Sequence, residues 1–281
     1  MKRIFVVGAG VMGLDIALEF AKADMQVTVR DISEEIIDRA RSRLEAGLER
    51  QTAKGKLTPA AAQSLRDRID FTVELSPARE AELVLEAIVE RADLKIKVFR
   101  ELDALCGPAC IFCSNTSSIS ITQMAAASGR PDRFIGMHFF NPPAVMKLVE
   151  LTRSLTTSDE TFRTAHELCL RLGKEPVEVQ DSPGFVVNRL LVPMMNEAAC
   201  LLSEGTASAE DIDRAMQLGA NHPMGPLHLA DLVGIDVVLH VCDVLYEETK
   251  DPKFRACWLL RKMVRAGQLG RKTGRGFFKY E

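Results

Sequence analysis

The 281-residue sequence predicts an α/β N-terminal domain built on a mainly parallel sheet, followed by an all-α C-terminal domain. Three observations carry that expectation. Short apolar runs alternate with longer helix-period segments, the pattern of βαβ units. A glycine-rich turn, Gly8-Ala9-Gly10-Val11-Met12-Gly13, joins the first apolar run directly to the first helical segment. The alternation then stops at Asp181-Ser182-Pro183-Gly184, beyond which helical spacing dominates.

Taken in order, the strand candidates are Arg3–Val7, Gln26–Arg30, Ile69–Val73, Leu83–Ile88, Ile111–Ser114, Phe134–His138, Lys147–Leu151 and Pro176–Gln180. After Gly13, Ile16, Ala17 and Phe20 fall on one helical face. Ser33 reads as an N-cap ahead of Ile36, Ile37, Ala40, Leu44 and Leu48, and Thr58-Pro59 as a cap with a first-turn proline. From about 184 to 266 long helical segments are punctuated by Glu204-Gly205, Gly219, Pro223–Pro226 and Gly234; Pro193 is expected to end or kink its helix early. Gly267–Tyr280 reads as a turn-rich tail. Residues 1–181 and 182–281 are therefore the expected domains, with no internal repeat or low-complexity segment.

Composition narrows the function classes. Apolar residues make up 47% and charged residues 27%, an ordinary globular balance. The net charge of −3 argues against a global affinity for nucleic acid or acidic membrane. No apolar run approaches the roughly 18 residues needed to span a bilayer, and Met1-Lys2-Arg3 leads into too short an apolar stretch for a signal segment. The seven cysteines sit in apolar surroundings. Cys110-Ile111-Phe112-Cys113 has CxxC spacing, but on a strand positions i and i+3 point to opposite faces, so the sulfurs would not converge on one metal. Reduced thiols in a soluble cytoplasmic protein are the expectation.

Three clusters carry candidate chemistry. In Gly8–Gly13 the first glycine permits a tight turn, Gly10 lets the backbone approach a pyrophosphate, and Gly13 allows close helix–strand packing. Helix N-terminal N–H groups would hold the anion, with Val11 and Met12 opening that helix. Asp31, 18 residues past Gly13, is placed to accept bonds from a ribose and to repel a 2′-phosphate, which favours NAD over NADP. Arg30 would soften that preference if it swung toward the ribose, and Asp15 puts a negative charge near the pyrophosphate unless it faces solvent. Ser114-Asn115-Thr116-Ser117-Ser118 follows a strand and is either ligand-facing or a capped turn into a helix near Thr122. His138 lies in an apolar strand, where a histidine is often a satisfied core residue. Glu150 lies in a second apolar run and is costly to bury unpaired. Paired across neighbouring strands, the two would make His138 a general base.

With these residues in order, followed by His138-Phe139-Phe140-Asn141-Pro142, Asp181-Ser182-Pro183-Gly184-Phe185-Val186-Val187-Asn188-Arg189 and Asn221-His222-Pro223-Met224-Gly225-Pro226, the chain resembles the 3-hydroxyacyl-CoA dehydrogenase family along essentially its whole length. It is most similar to the short bacterial members that act on 3-hydroxybutyryl-CoA. The resemblance implies a Rossmann-like NAD-binding domain, a helical C-terminal domain for substrate and homodimer contact, and NAD-dependent interconversion of (S)-3-hydroxyacyl-CoA and 3-oxoacyl-CoA. It implies His138 as base with Glu150, Ser117 and Asn188 at the substrate, and Glu90, Lys95, Asn115, Ser117, Asn141 and Lys272 at the cofactor. Lys54 matches a coenzyme A contact. Where relatives often carry a serine seven residues earlier this chain has Gly47, and Asp15 and His228 replace a usual small residue and a usual acid. The residues also show a basic edge, Arg39, Arg41, Arg43, Arg50, Lys54 and Lys56, suited to a phosphate-bearing tail or simply solvated. Two rival readings are a dehydrogenase of a free hydroxy acid on the same fold and a non-catalytic NAD-binding protein.

Overall fold

The computed structural model describes residues 1–280. The chain divides into two compact units, Met1–Ser182 and Pro183–Glu281.

The first unit runs β1 (Arg3–Val7), α1 (Val11–Lys22), β2 (Gln26–Arg30), α2 (Glu34–Ala53), α3 (Pro59–Arg66), β3 (Ile69–Thr72), β4 (Leu83–Glu86), α4 (Ala92–Asp103), β5 (Ile111–Ser114), α5 (Ile121–Ala127), β6 (Phe134–Phe139), β7 (Leu148–Arg153), α6 (Asp159–Arg171) and β8 (Glu175–Gln180). The eight strands form one sheet in the order β3-β2-β1-β4-β5-β6-β7-β8. Pairing is parallel except between β6 and β7. Strands β4, β5 and β6 are buried along their full length, which is why they read as continuous apolar runs rather than alternating ones. Because the order reverses at β1 and β4, a crevice opens beyond their carboxyl ends.

Local chemistry explains the element boundaries. Ser33 and Thr58 accept hydrogen bonds from the N–H groups of Ile36 and Ala61, and Pro59 occupies the first turn of α3. Strand β4 stops at Glu86 rather than reaching Ile88, because the Glu86 carboxylate accepts the Ile88 N–H at 2.7 Å and turns the chain. Strand β7 starts one residue later than expected and continues to Arg153, paired along its length with β8. Phe99 of α4 packs edge-on against Phe134, centroids 4.7 Å apart, and against Phe112 at 5.5 Å.

The second unit is helical: α7 (Val187–Ser203), α8 (Ala209–Gly219), α9 (Pro226–Val233), α10 (Ile235–Thr249) and α11 (Trp258–Arg265). Pro193 does not end its helix, which continues to Ser203. It lies early in α7 and removes the single donor that would reach Arg189 one turn back, and Val192, Met195 and Ala199 anchor the helix in the core on either side. Buried Asn196 ties α7 to the α10–α11 connection, accepting the Cys257 N–H at 2.7 Å and donating to the Arg255 carbonyl at 3.2 Å. The tail folds onto buried Asp231, which accepts the N–H groups of Phe277 and Phe278 and the Tyr280 hydroxyl at 2.9–3.0 Å. His228 stacks on Phe278, centroids 3.6 Å apart, and its Nδ1 lies 2.6 Å from Asp213.

Candidate active site

Strands β1, β4, β5 and β6 are mutually parallel, so their carboxyl ends share one edge of the sheet, and the chemistry-bearing groups of the first unit gather there. Gly8 has φ +111°, and a Cβ on it would meet the Ala87 carbonyl oxygen at 2.5 Å. Gly13 is tighter, for its Cβ would stand 1.9 Å from the Gly8 carbonyl oxygen. A Cβ on Gly10 would meet nothing within 4 Å. The loop is thus pressed against β4 on one side and open at Gly10 and at the exposed Val11, with Met12 half-buried behind it. This is a cradle of the shape a pyrophosphate needs beside a helix N-terminus.

Asp31 stands just past β2. One of its oxygens accepts the Ala9 N–H at 2.7 Å and the other the Ile32 N–H at 2.7 Å. A carboxylate offers about four lone-pair positions, so the Asp31 carboxylate keeps acceptor capacity beyond these two bonds. Arg30 is drawn away from that position, its Nε donating to the Val73 carbonyl at 3.0 Å. Asp15 does not face solvent as an unpaired charge. Arg43 of α2 donates to both its oxygens, at 2.8 and 3.0 Å, and so offsets its field near the glycine loop.

The Ser114–Ser118 segment is organised by two carboxylates. Buried Glu86, at the end of β4, accepts the Ser114 hydroxyl at 2.6 Å and the Lys95 ammonium at 2.5 Å. Lys95, only 1% exposed, also lies 3.1 Å from Glu90. Glu90 in turn accepts the Thr116 and Ser118 hydroxyls at 2.6 and 3.0 Å and the N–H groups of Ser117 and Ser118 at 3.0 and 3.2 Å. Burial opposes ionisation of Glu90 most strongly, but the charge of Lys95 and the hydroxyl and N–H donors prevail and hold its carboxyl below the usual range. Asn115 faces the other way, its side-chain oxygen accepting the Phe139 N–H at 2.9 Å. The segment that carries Ser117 is therefore fastened to β4 and α4 on one side and to β6 on the other. The capped-turn reading holds just beyond the cluster, where Ser120 caps α5, accepting the Gln123 N–H at 3.2 Å.

The antiparallel register of β6 and β7 sets His138 directly opposite Glu150, with Nδ1 2.8 Å from the carboxylate. Both are buried. A carboxylate beside Nδ1 favours the tautomer that carries its proton there. Asn141 follows on the exposed loop after β6.

Other expected site residues belong to other elements. Lys54 is exposed at the end of α2. A cavity of about 290 Å³ lies between α1 and α2, bounded among others by Lys22, Arg43, Gly47, Arg50 and Ala144. The basic edge beside it is less cationic than its composition suggests, because Arg39, Arg41 and Arg43 pair with Glu35, Asp38 and Asp15. In the second unit, Asn188 is the second residue of α7, and Lys272 pairs with Asp236 at 2.6 Å. Glu86 was missed on sequence grounds, although a lone acid in the apolar run Leu83-Val84-Leu85-Glu86-Ala87-Ile88 is the same signal that singled out Glu150. Of the seven cysteines none is crosslinked, and among the described residues no cluster of metal ligands occurs.

A doubly wound sheet, a glycine cradle at its switch point and a buried histidine–carboxylate pair on the same edge define a dinucleotide-dependent dehydrogenase. The chain belongs to the 3-hydroxyacyl-CoA dehydrogenase family: the model of that family's NAD-binding domain matches residues 3–182 and that of its C-terminal domain residues 184–280. It is 48% identical to a probable 3-hydroxybutyryl-CoA dehydrogenase of Bacillus subtilis, over 100% of this chain and 98% of the relative. A mitochondrial hydroxyacyl-coenzyme A dehydrogenase of Rattus norvegicus is 43% identical, over 100% and 92%. The crystal structure of (S)-3-hydroxybutyryl-CoA dehydrogenase from Ralstonia eutropha superposes with a TM-score of 0.95 at 49% identity, covering 100% of this chain and 99% of that one.

Proposed function

We propose that this protein interconverts (S)-3-hydroxyacyl-CoA, with 3-hydroxybutyryl-CoA the leading substrate, and the corresponding 3-oxoacyl-CoA, with His138 and Glu150 as its proton-transfer pair. The observation that carries the reading is the buried 2.8 Å contact between His138 and Glu150 on the sheet edge that also holds the glycine cradle. Bound NAD supplies the hydride acceptor, or as NADH the donor. Gly8, Gly10, Val11, Met12 and Gly13 hold its pyrophosphate, Asp31 its ribose, and Glu90, Asn115, Ser117, Asn141 and Lys272 complete its contacts, with Lys95 behind Glu90. Lys95 is buried between Glu86 and Glu90, which supports a role exerted through Glu90 and the Ser117 segment.

In the oxidative direction His138 takes the 3-hydroxyl proton at Nε2 while Nδ1 stays on Glu150, whose charge steadies the imidazolium that forms. In the reductive direction the same nitrogen returns the proton. Ser117 and Asn188 orient the reacting oxygen and stabilise its developing charge. Lys54 and the cavity between α1 and α2, with Arg50 on its wall, support coenzyme A as the carrier. In the second unit Leu190, Leu218 and Trp258 are more than half exposed, which supports pairing with a second copy. Uncrosslinked thiols support a reducing, cytoplasmic setting.

The test is to mix protein, NADH and acetoacetyl-CoA and follow the loss of NADH absorbance, with NADPH and free acetoacetate as parallel arms. Turnover with NADH and the CoA ester, slower with NADPH, is expected. Turnover of free acetoacetate alone would move the assignment to a free hydroxy acid, and no turnover with any CoA ester would reject it.

A further inference from the structure

Lys174, in the connection between α6 and β8, is one of the few buried ammonium groups, with only 6% of its surface exposed. Its Nζ donates to the carbonyl of Pro143, to that of Met146 at 3.3 Å, and to the carboxylate of Glu19 at 3.1 Å. An ammonium has three N–H donors, and here each has an acceptor. Two of those acceptors belong to the loop that leaves β6 after His138 and carries Asn141. The third belongs to α1, the helix whose amino end faces the cofactor cradle. Apart from Pro143 the loop from Asn141 to Met146 is exposed. Its internal fastening is a turn in which the Pro142 carbonyl accepts the N–H groups of Val145 and Met146 at 3.0 Å. Lys174 is thus the clamp beneath an otherwise solvent-facing segment, and Glu19 is the clamp's fixed end. Glu19 is itself 8% exposed and is held also by Lys22 at 2.7 Å.

We infer that Lys174 is a positioning residue for the reaction: by fastening the Asn141–Met146 loop to Glu19 of α1, it holds Asn141 and the adjoining end of β6 in place against cofactor seated at the amino end of the same helix. The inference rests on the roles given above to Asn141 and His138, and adds a residue outside both the cofactor cradle and the proton-transfer pair. Stability alone is an incomplete reason for this arrangement, because a buried ammonium loses its hydration and a buried ion pair replaced whole by well-packed apolar groups is often no less stable. What the ammonium supplies that an apolar group cannot is a directional tie to main-chain carbonyls. Small misplacement of reacting groups slows the chemical step steeply, by up to about 10²-fold for a shift of about 1 Å.

The experiment compares the wild-type protein with Lys174→Met, turning over NADH or NADH deuterated at both C4 positions with acetoacetyl-CoA. For Lys174→Met, kcat is expected to fall about tenfold. The deuterium isotope effect on kcat/KM should rise, because hydride transfer becomes more fully rate-limiting, while the Kd for NADH, read from its fluorescence, stays within about twofold of wild type. Partial unfolding lowers the active fraction but leaves the isotope effect where it was, so the isotope effect separates positioning from mere structure. If Lys174→Met does not fold, Glu19→Gln decides: it keeps the shape of Glu19 while weakening its hold on Lys174, and the isotope effect should again rise. An isotope effect and kcat equal to wild type in the soluble variant overturn the inference, as does a lower kcat with an unchanged isotope effect. Absence of turnover by the wild-type protein would instead overturn the underlying reading.

Discussion

At the scale of single residues, the proposed mechanism divides one task between His138 and Glu150. Replacing His138 with glutamine removes the proton carrier while filling the same space, and turnover should fall by about 10²–10⁴-fold, measured with NADH and acetoacetyl-CoA on protein of unchanged circular dichroism. Glu150→Gln keeps an oxygen near Nδ1 but loses the charge, and its amide can also present N–H, so the ring tautomer is no longer dictated. The rate should fall while NADH binding, read by fluorescence, is retained. Buried acids set a second expectation. Burial opposes ionisation of Glu19 and Glu90, but Lys22 and Lys174 prevail at the first and Lys95, Thr116 and Ser117 at the second, so both carboxyls lie below their ordinary value of 4.5. A carboxyl depressed in the folded state adds stability that is fully present above the unfolded value and is lost as pH falls through the folded one. Thermal stability should therefore be steady near neutrality and decline as pH drops below 4.5, with a shallower decline in Glu90→Gln. A decline of equal steepness in that variant would contradict the role given to Glu90.

Elements act here through register and close approach. The turn from β1 into α1 works only without side chains at its contacts: Gly13→Ala would drive a methyl carbon into the Gly8 carbonyl at 1.9 Å. Overpacking of this kind costs about 1–3 kcal/mol, visible as a lower urea midpoint, and NADH binding should weaken as the loop is displaced. Much of this was readable from the sequence, because three glycines so spaced between an apolar run and a helical one demand a tight turn, and because the alternation of strands and helices follows directly from burial on both sheet faces. Site geometry was less so. The sequence placed His138 and Glu150 in neighbouring apolar runs, but only the antiparallel pairing of β6 and β7 puts them opposite one another. The fastening of the Ser117 segment was invisible, since it depends on Glu86 at the end of β4, Glu90 in the following loop and Lys95 of α4 converging on one another. The Asp15–Arg43 pair was missed for the same reason, its partners lying 28 positions apart on separate helices. Pro193 does not end its helix because its local rule yields to the packing of its neighbours.

For the whole molecule, the second unit should bring two chains together. Sedimentation of the purified protein should give twice the chain mass, and Trp258→Lys, a change at an exposed position of α11, should leave the first unit folded; a mass of one chain would contradict the pairing. The β6–β7 hairpin has one more consequence, for descent. His138 and Glu150 belong to the sheet, where a single inserted residue would swing one of them to the opposite face. The loop joining the strands is tied down through the carbonyls of Pro143 and Met146, groups that every amino acid possesses. Mutation can therefore rewrite the side chains of Ala144, Val145 and Met146 while His138 and Glu150 are inherited unchanged, opposite one another.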